Sequence, residues 1–317
     1  MDENTFPLRV AAVQLRLELG SVSRNLAQAE ALSGEAFTKG AEWVILPEFF
    51  PSGVAYSEKM HSAWLPIDGP ALELLRRQAR KYGGVVGGSF IAKSGTDCFN
   101  SFLLVFPNGQ YYRHDKDIPT MWENCYYIGG EDDGVLPTPI GPIGVAMCWE
   151  MIRSQTLRRL KGRVSFVVGG SCWWDLGFPV PDKYRDQQLR LVQILKDAPS
   201  SLAKMLGVPF VHASQVGEFE GTTPGEKASI YSSRYLGESQ IVDGGGNVLA
   251  RMSADDGEGV IAATIDRNSS ALPTRQIPQG FWTVDLPPIA QRSWDYVNEF
   301  GKKYYANEFK RVLETRD

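Results

Sequence analysis

The sequence predicts an α/β fold with a mixed β-sheet, and three observations support that class. Short apolar runs rich in valine, alanine and isoleucine, such as residues 8–14 (LRVAAVQ) and 43–46, are typical of buried strands. Amphipathic segments alternate with these runs in the first half of the chain, which favours parallel strand pairs. Hairpin turns such as Asn108-Gly109 occur in the middle and indicate antiparallel pairs as well, because Asn-Gly tolerates positive φ.

Each predicted element has its own local signal. The helix over residues 70–82 starts at a proline and is stopped by Gly83-Gly84, since proline suits the first helical turn and glycine the C-terminus. The predicted strands cover residues 8–14, 43–46, 85–92, 101–106, 111–114, 141–148, 164–168, 208–214 and 260–266, with a hairpin over 230–249. The other predicted helices run from Ser21 or Ser23 to about Lys39 and over residues 151–160, 182–206 and 291–313, with candidate breaks at Pro199 and Gly301.

Composition is that of an ordinary globular protein. The 317 residues include 43% hydrophobic and 22% charged side chains, and the net charge of −4 indicates no nucleic-acid partner. No apolar run is long enough to span a bilayer, and the N-terminus lacks a signal pattern, so we expect a cytoplasmic protein that binds no membrane. We predict a single domain over residues 1–317, in which 271–317 is a C-terminal extension that begins proline-rich and irregular.

Cysteine and histidine usage indicates neither a disulfide scaffold nor a metal site. The four cysteines are sparse and never paired as CxxC, and the three histidines are scattered. We therefore expect reduced thiols and no metal ion. A lone cysteine is most often buried and structural, and we assign that role to Cys98, Cys125 and Cys172.

Two other residues end apolar runs, where α/β folds often place reactive groups. Cys148 ends the run 141–148 just before a predicted helix, whose N-terminus would favour the thiolate and lower the pKa from about 8.5. Glu48 follows WVILP, so partial desolvation should raise its pKa and make it a plausible general base. The alternatives are a buried structural cysteine and a glutamate paired with an arginine at the sheet edge.

Lys116 and Glu123 are less distinctive by themselves. Lys116 follows the predicted strand YYRHD, and near a reaction centre its ammonium could stabilise developing negative charge. A solvated surface position is the alternative for both residues. Combined with Cys148 and Glu48, they would complete a hydrolytic site, because a weak nucleophile needs an adjacent base and the developing charge needs a fixed donor.

Taken together, these residues resemble the nitrilase superfamily of carbon–nitrogen hydrolases. The matching pieces are RVAAVQ near the start, LPE with Glu48, the loop of Lys116 and CWE with Cys148. The later segments 207–217, 237–250 and 259–266 also look like family elements, so the resemblance covers roughly residues 8–268.

The resemblance implies a four-layer αββα sandwich with mixed β-sheets, dimerised through its helical faces and often assembled into larger homo-oligomers. It also implies a Glu–Lys–Cys triad that uses neither a metal nor an organic cofactor. Carried onto this chain, Cys148 is the nucleophile, Glu48 the base and Lys116 the stabiliser of the tetrahedral intermediate, aided by the backbone N–H of Trp149. Glu123 matches the second glutamate, which orients the lysine and the substrate.

The spacing Lys116-x-x-Pro-Thr-x-x-Glu123, followed by Cys148-Trp-Glu, looks most like true nitrilases, which convert a nitrile into a carboxylic acid and ammonia. Amidases and N-carbamoyl hydrolases share the triad and remain the alternative. Outside enzymology, a catalytically silent binding or scaffold member and a redox thiol protein are the other candidates. The side chains expected to line an apolar substrate pocket are Trp122, Tyr126, Trp149, Trp173 and Trp174.

Overall fold

The computed structural model describes residues 7–175, 177, 179–224, 229–267 and 276–315. The strands in these ranges are β1 (Pro7–Arg16), β2 (Trp43–Ile45), β3 (Leu65–Pro66), β4 (Val85–Ser94), β5 (Asp97–Val105), β6 (Tyr111–Asp115), β7 (Val135–Thr138), β8 (Gly141–Val145), β9 (Val167–Ser171), β10 (Phe210–Thr222), β11 (Ile230–Val242), β12 (Val248–Ser253) and β13 (Gly259–Asp266). The α-helices are α1 (Val22–Thr38), α2 (Pro70–Tyr82), α3 (Ser154–Leu160), α4 (Arg185–Leu206), α5 (Pro288–Tyr304) and α6 (Lys310–Glu314).

The strands form a mixed sheet that divides into two halves. One half has the order β6-β5-β4-β2-β1, with β13 added on β1, and the other has the order β10-β9-β8-β7, with β11 and β12 added beyond β10. Among the described strands, the halves are hydrogen-bonded to each other only where the end of β1 pairs with β10, at Gln14–Arg16 against Ser214–Val216. Elsewhere the two halves are free to pack face to face.

Helices cover the outer face of each half. In β1, Val10 and Ala12 point into a core between the two halves, whereas Ala11 and Val13 point into a core under α1 and α2. This alternation follows from the two-residue period of a strand, and it explains why β1 is apolar on both faces. On the other half, α3, α4 and α5 contribute Leu157, Leu195 and Val297 to the outer core. The predicted αββα sandwich with mixed sheets is therefore confirmed.

Two expected helix breaks do not occur. Pro199 lies inside α4, and its neighbours Ala198 and Leu202 are buried. The free energy gained by packing this helix face outweighs the hydrogen bond lost at proline. Gly301 lies inside α5, where a Cβ atom would sit 2.6 Å from the Cβ of Asn124. That glycine permits close contact between helix and loop instead of ending the helix.

The sequence prediction also missed β7, which contains Pro137. The structure places β7 at the end of the strand order, paired only with β8 among the described strands, and an edge strand tolerates proline because one side needs no donor. The predicted strand 208–214 is part of a longer β10, which continues through exposed Glu218 and Glu220. In the described part of the chain, no helix is both long and apolar enough to cross a bilayer.

Candidate active site

Residues from both halves of the sandwich meet at the ends of their strands. Glu48 follows β2 and Lys116 follows β6 in one half, and Cys148 follows β8 in the other. Glu123 lies in the short 3₁₀-helix Met121–Cys125, beyond Lys116. All four side chains are buried, with at most 1% of any of these residues exposed. The structure thus brings together the four residues for which we predicted catalytic roles.

Lys116 connects the two glutamates. Its Nζ atom donates hydrogen bonds of 2.8 Å to Glu48 Oε1 and 2.7 Å to Glu123 Oε2. Glu123 Oε2 also accepts from the backbone N–H of Thr120 at 2.8 Å and from the hydroxyl of Tyr127. A buried ammonium between two carboxylates is held rigidly, because each charge would be costly to bury alone.

Glu48 is fixed by further donors from both halves. Asn100 Nδ2 donates to Glu48 Oε1 at 2.9 Å, and the backbone N–H of Cys172 donates to Oε2 at the same distance. Gln215 Nε2 donates to the backbone carbonyl of Glu48. Gly170 in β9 makes this approach possible, since a Cβ atom there would sit 2.6 Å from the Glu48 nitrogen.

The charges in this cluster do not balance, and the pKa values respond. Burial raises the pKa of Glu48 to about 7; the nearby Lys116 opposes this rise and Glu123 adds to it. The pKa of Lys116 would be lowered by burial, but Glu123 and Glu48 raise it above its usual value. Lys116 therefore stays charged, while Glu48 exchanges protons near neutral pH, as a general base must.

Cys148 lies on a sharp turn next to these groups. Its φ of 48° is in the left-handed region, which costs a non-glycine residue on the order of 1–3 kcal/mol. Its Sγ atom and one carboxylate oxygen of each of Glu48 and Glu123 lie within 4.8 Å of one another. Phe49 and Met121 also have positive φ, so strained backbone is concentrated around the thiol.

The expected stabilisation of a thiolate by the following helix is wrong. Burial raises the pKa of Cys148 well above its usual value, and Glu48 adds to the rise, while Lys116 and a hydrogen bond from the Trp149 N–H only partly oppose it. The helix that follows, Cys148–Ile152, is a single short 3₁₀ segment. The resting sulfur is consequently a thiol that needs a base to become a nucleophile.

A small cavity of about 20 Å³ opens beside the thiol. It is lined by Thr120, Met121, Cys148, Trp149, Trp173, Trp174 and Leu191. Three of the aromatic residues for which we predicted substrate contacts therefore surround Cys148. The cavity is small, so only a compact group fits beside the thiol without movement of the walls.

The structure places Trp122 and Tyr126 away from this lining. Trp122 packs against Tyr56 and Phe300, with ring centroids 5.3 and 6.0 Å away. Tyr126 is fully buried, and its hydroxyl donates to the carbonyl of Ala55 at 2.9 Å. Both rings belong to an aromatic cluster under the C-terminal helices.

A second charge cluster, buried except at Asp132, supports the two loops that carry Lys116 and Cys148. His114 contacts Asp132 through Nδ1 and Glu150 through Nε2, the latter at 3.2 Å. Glu150 accepts from the backbone N–H of Met147 at 2.9 Å, next to Cys148. Burial would lower the pKa of His114, but Glu150 and Asp132 raise it to about 10, so the ring is an imidazolium.

The same cluster reaches the residue after Lys116. The fully buried guanidinium of Arg153 pairs with Asp117, and Arg159 bridges Asp117 at 3.0 Å and Glu150 at 3.4 Å. Burial would raise the pKa of Glu150, but His114 and the two arginines hold it well below its usual value. These ion pairs fix the Lys116 loop against the Cys148 loop.

The donor atoms at the site suit charge-stabilised thiol chemistry better than a metal ion. The sulfur of Cys148 and the carboxylates of Glu48 and Glu123 have the spacing of three metal ligands. Lys116 already bonds both carboxylates, however, and its buried positive charge would repel a second cation placed among them.

Several contributors to the site escaped the sequence analysis. Asn100 and Gln215 are polar residues inside buried strands. Because buried polar side chains are nearly always hydrogen-bonded, this position could have identified them as candidates for the site. The sequence could not indicate the role of the Cys172 N–H, because almost every residue type has a backbone N–H. The C-terminal Trp282 and Trp294, which stack around Trp149, lie far from it in the sequence.

An αββα sandwich that encloses a cysteine, a lysine and two glutamates is the arrangement typical of the nitrilase superfamily. The sequence profile described as carbon-nitrogen hydrolase matches residues 9–272. The chain therefore belongs to the carbon–nitrogen hydrolase family, as its sequence resemblance predicted.

Individual relatives agree on the family and differ in their described activities. Nitrilase 1 of Arabidopsis thaliana is 32% identical over 166 residues, an alignment of 45% of this chain and 47% of the relative. The match thus spans about half the length of that nitrilase. A citrullinase of Francisella tularensis is 25% identical over 272 residues, covering 82% of this chain and 89% of the relative.

Among solved structures, a carbon-nitrogen hydrolase from Helicobacter pylori superposes with a TM-score of 0.65. The superposition covers 96% of this chain and 99% of that chain at 20% sequence identity. At this identity the likeness concerns the fold alone.

Proposed function

We propose that the chain is a cysteine-dependent hydrolase that converts a small nitrile into a carboxylic acid and ammonia. In this proposal Cys148 is the nucleophile, Glu48 the general base and Lys116 the cation that stabilises developing negative charge. Glu123 orients Lys116. The main support is one arrangement: Lys116 Nζ lies between the two carboxylates, and the Cys148 sulfur lies within 4.8 Å of both.

The first step would form a covalent intermediate. Glu48, with a pKa of about 7, takes the proton of the Cys148 thiol as the sulfur attacks the nitrile carbon. A C–S bond forms, one C–N π bond breaks, and the nitrogen receives the proton, which gives a thioimidate. Lys116 is already charged and positioned, so it stabilises the developing anion without a large reorganisation.

Two molecules of water complete the reaction. Glu48 takes a proton from the first water, which attacks the thioimidate carbon; the nitrogen is protonated and leaves as ammonia, and a thioester remains. The second water, activated in the same way, breaks the C–S bond and releases the acid and the Cys148 thiol. One nitrile and two waters yield one acid and one ammonia, with no change of oxidation state at the enzyme.

A primary amide or ureido compound is the second candidate substrate, and one observation favours it. Glu123 Oε1 is buried and has no hydrogen-bond partner among the described residues. A substrate with N–H donors, such as an amide, could satisfy it, whereas an intact nitrile offers only an acceptor. The extended alignment with a citrullinase supports the same alternative.

Product analysis with a substrate panel distinguishes the two. The purified protein is incubated with short nitriles and the matching amides, ammonia and free acid are quantified, and the intact mass is measured after rapid quenching. For a nitrilase we expect acid and ammonia from the nitriles and an adduct on the peptide that contains Cys148. In Cys148→Ala the turnover should fall by at least about 10³-fold, because the covalent route is removed.

Cys125→Ala is the matched control, since it removes another fully buried thiol outside the site. It should retain the wild-type rate. Turnover of amides alone would replace the nitrile proposal with the amidase one. If Cys148→Ala matched the wild type on every substrate, the proposed mechanism would be wrong. The homo-oligomeric state and the cytoplasmic location stay predictions.

A further inference from the structure

The C-terminal segment lies beyond the part of the chain that matches the family, which ends at residue 272. It is nevertheless attached to the nucleophile loop by backbone hydrogen bonds. Ser154 N donates to the carbonyl of Phe281 at 3.0 Å, and Thr283 N donates to the carbonyl of Ile152 at 2.8 Å. The helix α5 then packs against the 3₁₀-helix Met121–Cys125, which carries Glu123.

One wall of the Cys148 cavity is held from behind by this segment. The ring of Trp149 stacks on Trp294 of α5, with centroids 5.5 Å apart and planes only 3° from parallel. Trp282 meets Trp149 edge-on at 5.4 Å and Trp294 at 4.9 Å. The guanidinium of Arg153 lies 5.9 Å from the centre of the Trp294 ring. Trp149 therefore cannot swing backward to enlarge the cavity while Trp294 stays in place.

The opposite wall is held by the same helix. Met121, which lines the cavity with a strained φ of 52°, donates its backbone N–H to Asn298 Oδ1 at 2.7 Å. Asn124 Nδ2 donates to the same oxygen at 3.0 Å, and Gly301 lets the helix approach Asn124. Because Asn298 is 7% exposed, loss of this acceptor would leave a nearly buried N–H without a partner.

We propose that α5 sets the size limit of the cavity beside Cys148. Trp294 is the positioning residue for Trp149, and Asn298 is the positioning residue for Met121. With both walls fixed around about 20 Å³, the site accepts a substrate whose carbon substituent is very small, such as a one- or two-carbon nitrile or amide. The substrate chemistry in this statement rests on the proposed function, whereas the size limit does not.

Alkylation of Cys148 by two reagents tests the size limit without any turnover. Iodoacetamide and an N-naphthyl iodoacetamide carry the same reactive carbon on small and large bodies. Rates of Cys148 labelling are measured by peptide mass spectrometry for wild type, Trp294→Ala, Asn298→Ala and Tyr296→Ala. Tyr296 is the matched control, an aromatic residue of α5 that is 71% exposed.

In Trp294→Ala we expect the ratio of large-reagent to small-reagent rates to rise at least about tenfold, because Trp149 gains space to move. Asn298→Ala should raise the ratio by a smaller factor, and Tyr296→Ala should leave it within about twofold of wild type. A ratio unchanged in both Trp294→Ala and Asn298→Ala overturns the proposal. If only one of them changes it, the size limit lies at that wall and the claim for the other residue is wrong.

Folding is checked in the same spectra, since Cys98, Cys125 and Cys172 are buried outside the cavity lining and should stay unlabelled in a folded protein. If Trp294→Ala labels them, Trp294→Phe decides, with a smaller rise expected for its smaller ring. Failure of the proposed hydrolysis would show in the substrate panel and leave these ratios unaffected. Wild-type ratios in the variants would overturn the size limit even in an active hydrolase.

Discussion

Two charge clusters, one fully buried and one largely buried, lie next to each other and differ in the balance of positive and negative groups. The site cluster consists of Glu48, Lys116 and Glu123, so two carboxylates share one ammonium. The support cluster pairs three carboxylates with three cations, namely Asp117, Asp132, Glu150, His114, Arg153 and Arg159. In the first cluster a carboxyl group has a pKa raised to about 7, and in the second the pKa of Glu150 is well below its usual range.

The difference shows how one low-dielectric interior can serve two purposes. Where the charges match, His114 and the two arginines keep Glu150 ionised despite its burial, and the ion pairs hold the Lys116 loop against the Cys148 loop. Where they do not match, burial and the second carboxylate raise the pKa of Glu48 against the effect of Lys116, and the cluster can transfer a proton near neutral pH. The imbalance costs stability at the site, and the balanced cluster next to it keeps the geometry.

Glu48→Gln is the strongest test of the imbalance. Glutamine keeps the size of the side chain, replaces one accepting oxygen by an NH2 donor and removes the titrating group, so we expect kcat/KM for the preferred substrate to fall at least about 10³-fold. Initial rates across the substrate panel measure the loss. Glu35→Gln, on the exposed face of α1, is the matched control and should retain full activity.

The stability of the same variant relative to wild type should rise from pH 5 to pH 8. The folded pKa of Glu48 is about 7 against 4.5 for the unfolded chain, so its contribution is fully present below pH 4.5 and is lost as pH rises through 7. The relative gain of Glu48→Gln between these two pH values is about 3 kcal/mol, and urea unfolding at each pH measures it. A relative stability that stays the same or falls from pH 5 to pH 8 would contradict the raised pKa.

His114→Asn tests the balanced cluster. Loss of the imidazolium leaves Glu150 and Asp132 partly uncompensated, and we expect about 3–5 kcal/mol of destabilisation at pH 7. The folded pKa of about 10 exceeds the unfolded value of 6.5, so the wild-type contribution is present below pH 6.5 and is lost as pH rises through 10. Urea unfolding between pH 6 and pH 10 should show this slope in wild type and a flatter one in the variant.

His212 provides a matched control, since it is equally buried but neutral. Burial lowers its pKa to about 4, and its ring contacts Ser171 Oγ at 2.7 Å and the carbonyl of Glu238 at 3.1 Å. His212→Asn should cost only about 1–2 kcal/mol at pH 7. Equal losses of unfolding free energy in the two variants would mean that the charge of His114 contributes nothing to stability beyond the packing of its ring.

Asn100→Ala is expected to have the smallest effect. It removes the 2.9 Å hydrogen bond that favours the ionised form of Glu48, so the pKa of this carboxyl should rise further. In a plot of kcat/KM against pH, the fall on the acidic side is centred near pH 7 in wild type. In the variant it should shift to higher pH by less than about one pH unit. A downward shift, or none in a folded variant, would exclude Glu48 as the group that controls this fall.

Part of this picture was predictable from local sequence. Glu48 and Cys148 were recognisable because each ends an apolar run, and the order of the motifs then predicted the sandwich. The protonation state of Cys148 was not predictable, because it depends on burial by residues far away in the chain. The course of residues 276–286 was not predictable either, because their sequence has no hydrophobic periodicity. Their backbone is held instead by hydrogen bonds to Ile152 and Ser154 of the nucleophile loop.

The position of β1 in the sheet has a consequence for biosynthesis. This first strand pairs with β2, which is made soon after it, but also with β10 and with β13 over Pro7–Gln14 against Gly259–Asp266. Until the ribosome has released β13, one edge of β1 lacks a neighbour and its backbone groups are open to another chain. Completion of the sandwich is therefore delayed until residues 259–266 have been made, and a chain halted before residue 259 would be prone to aggregate.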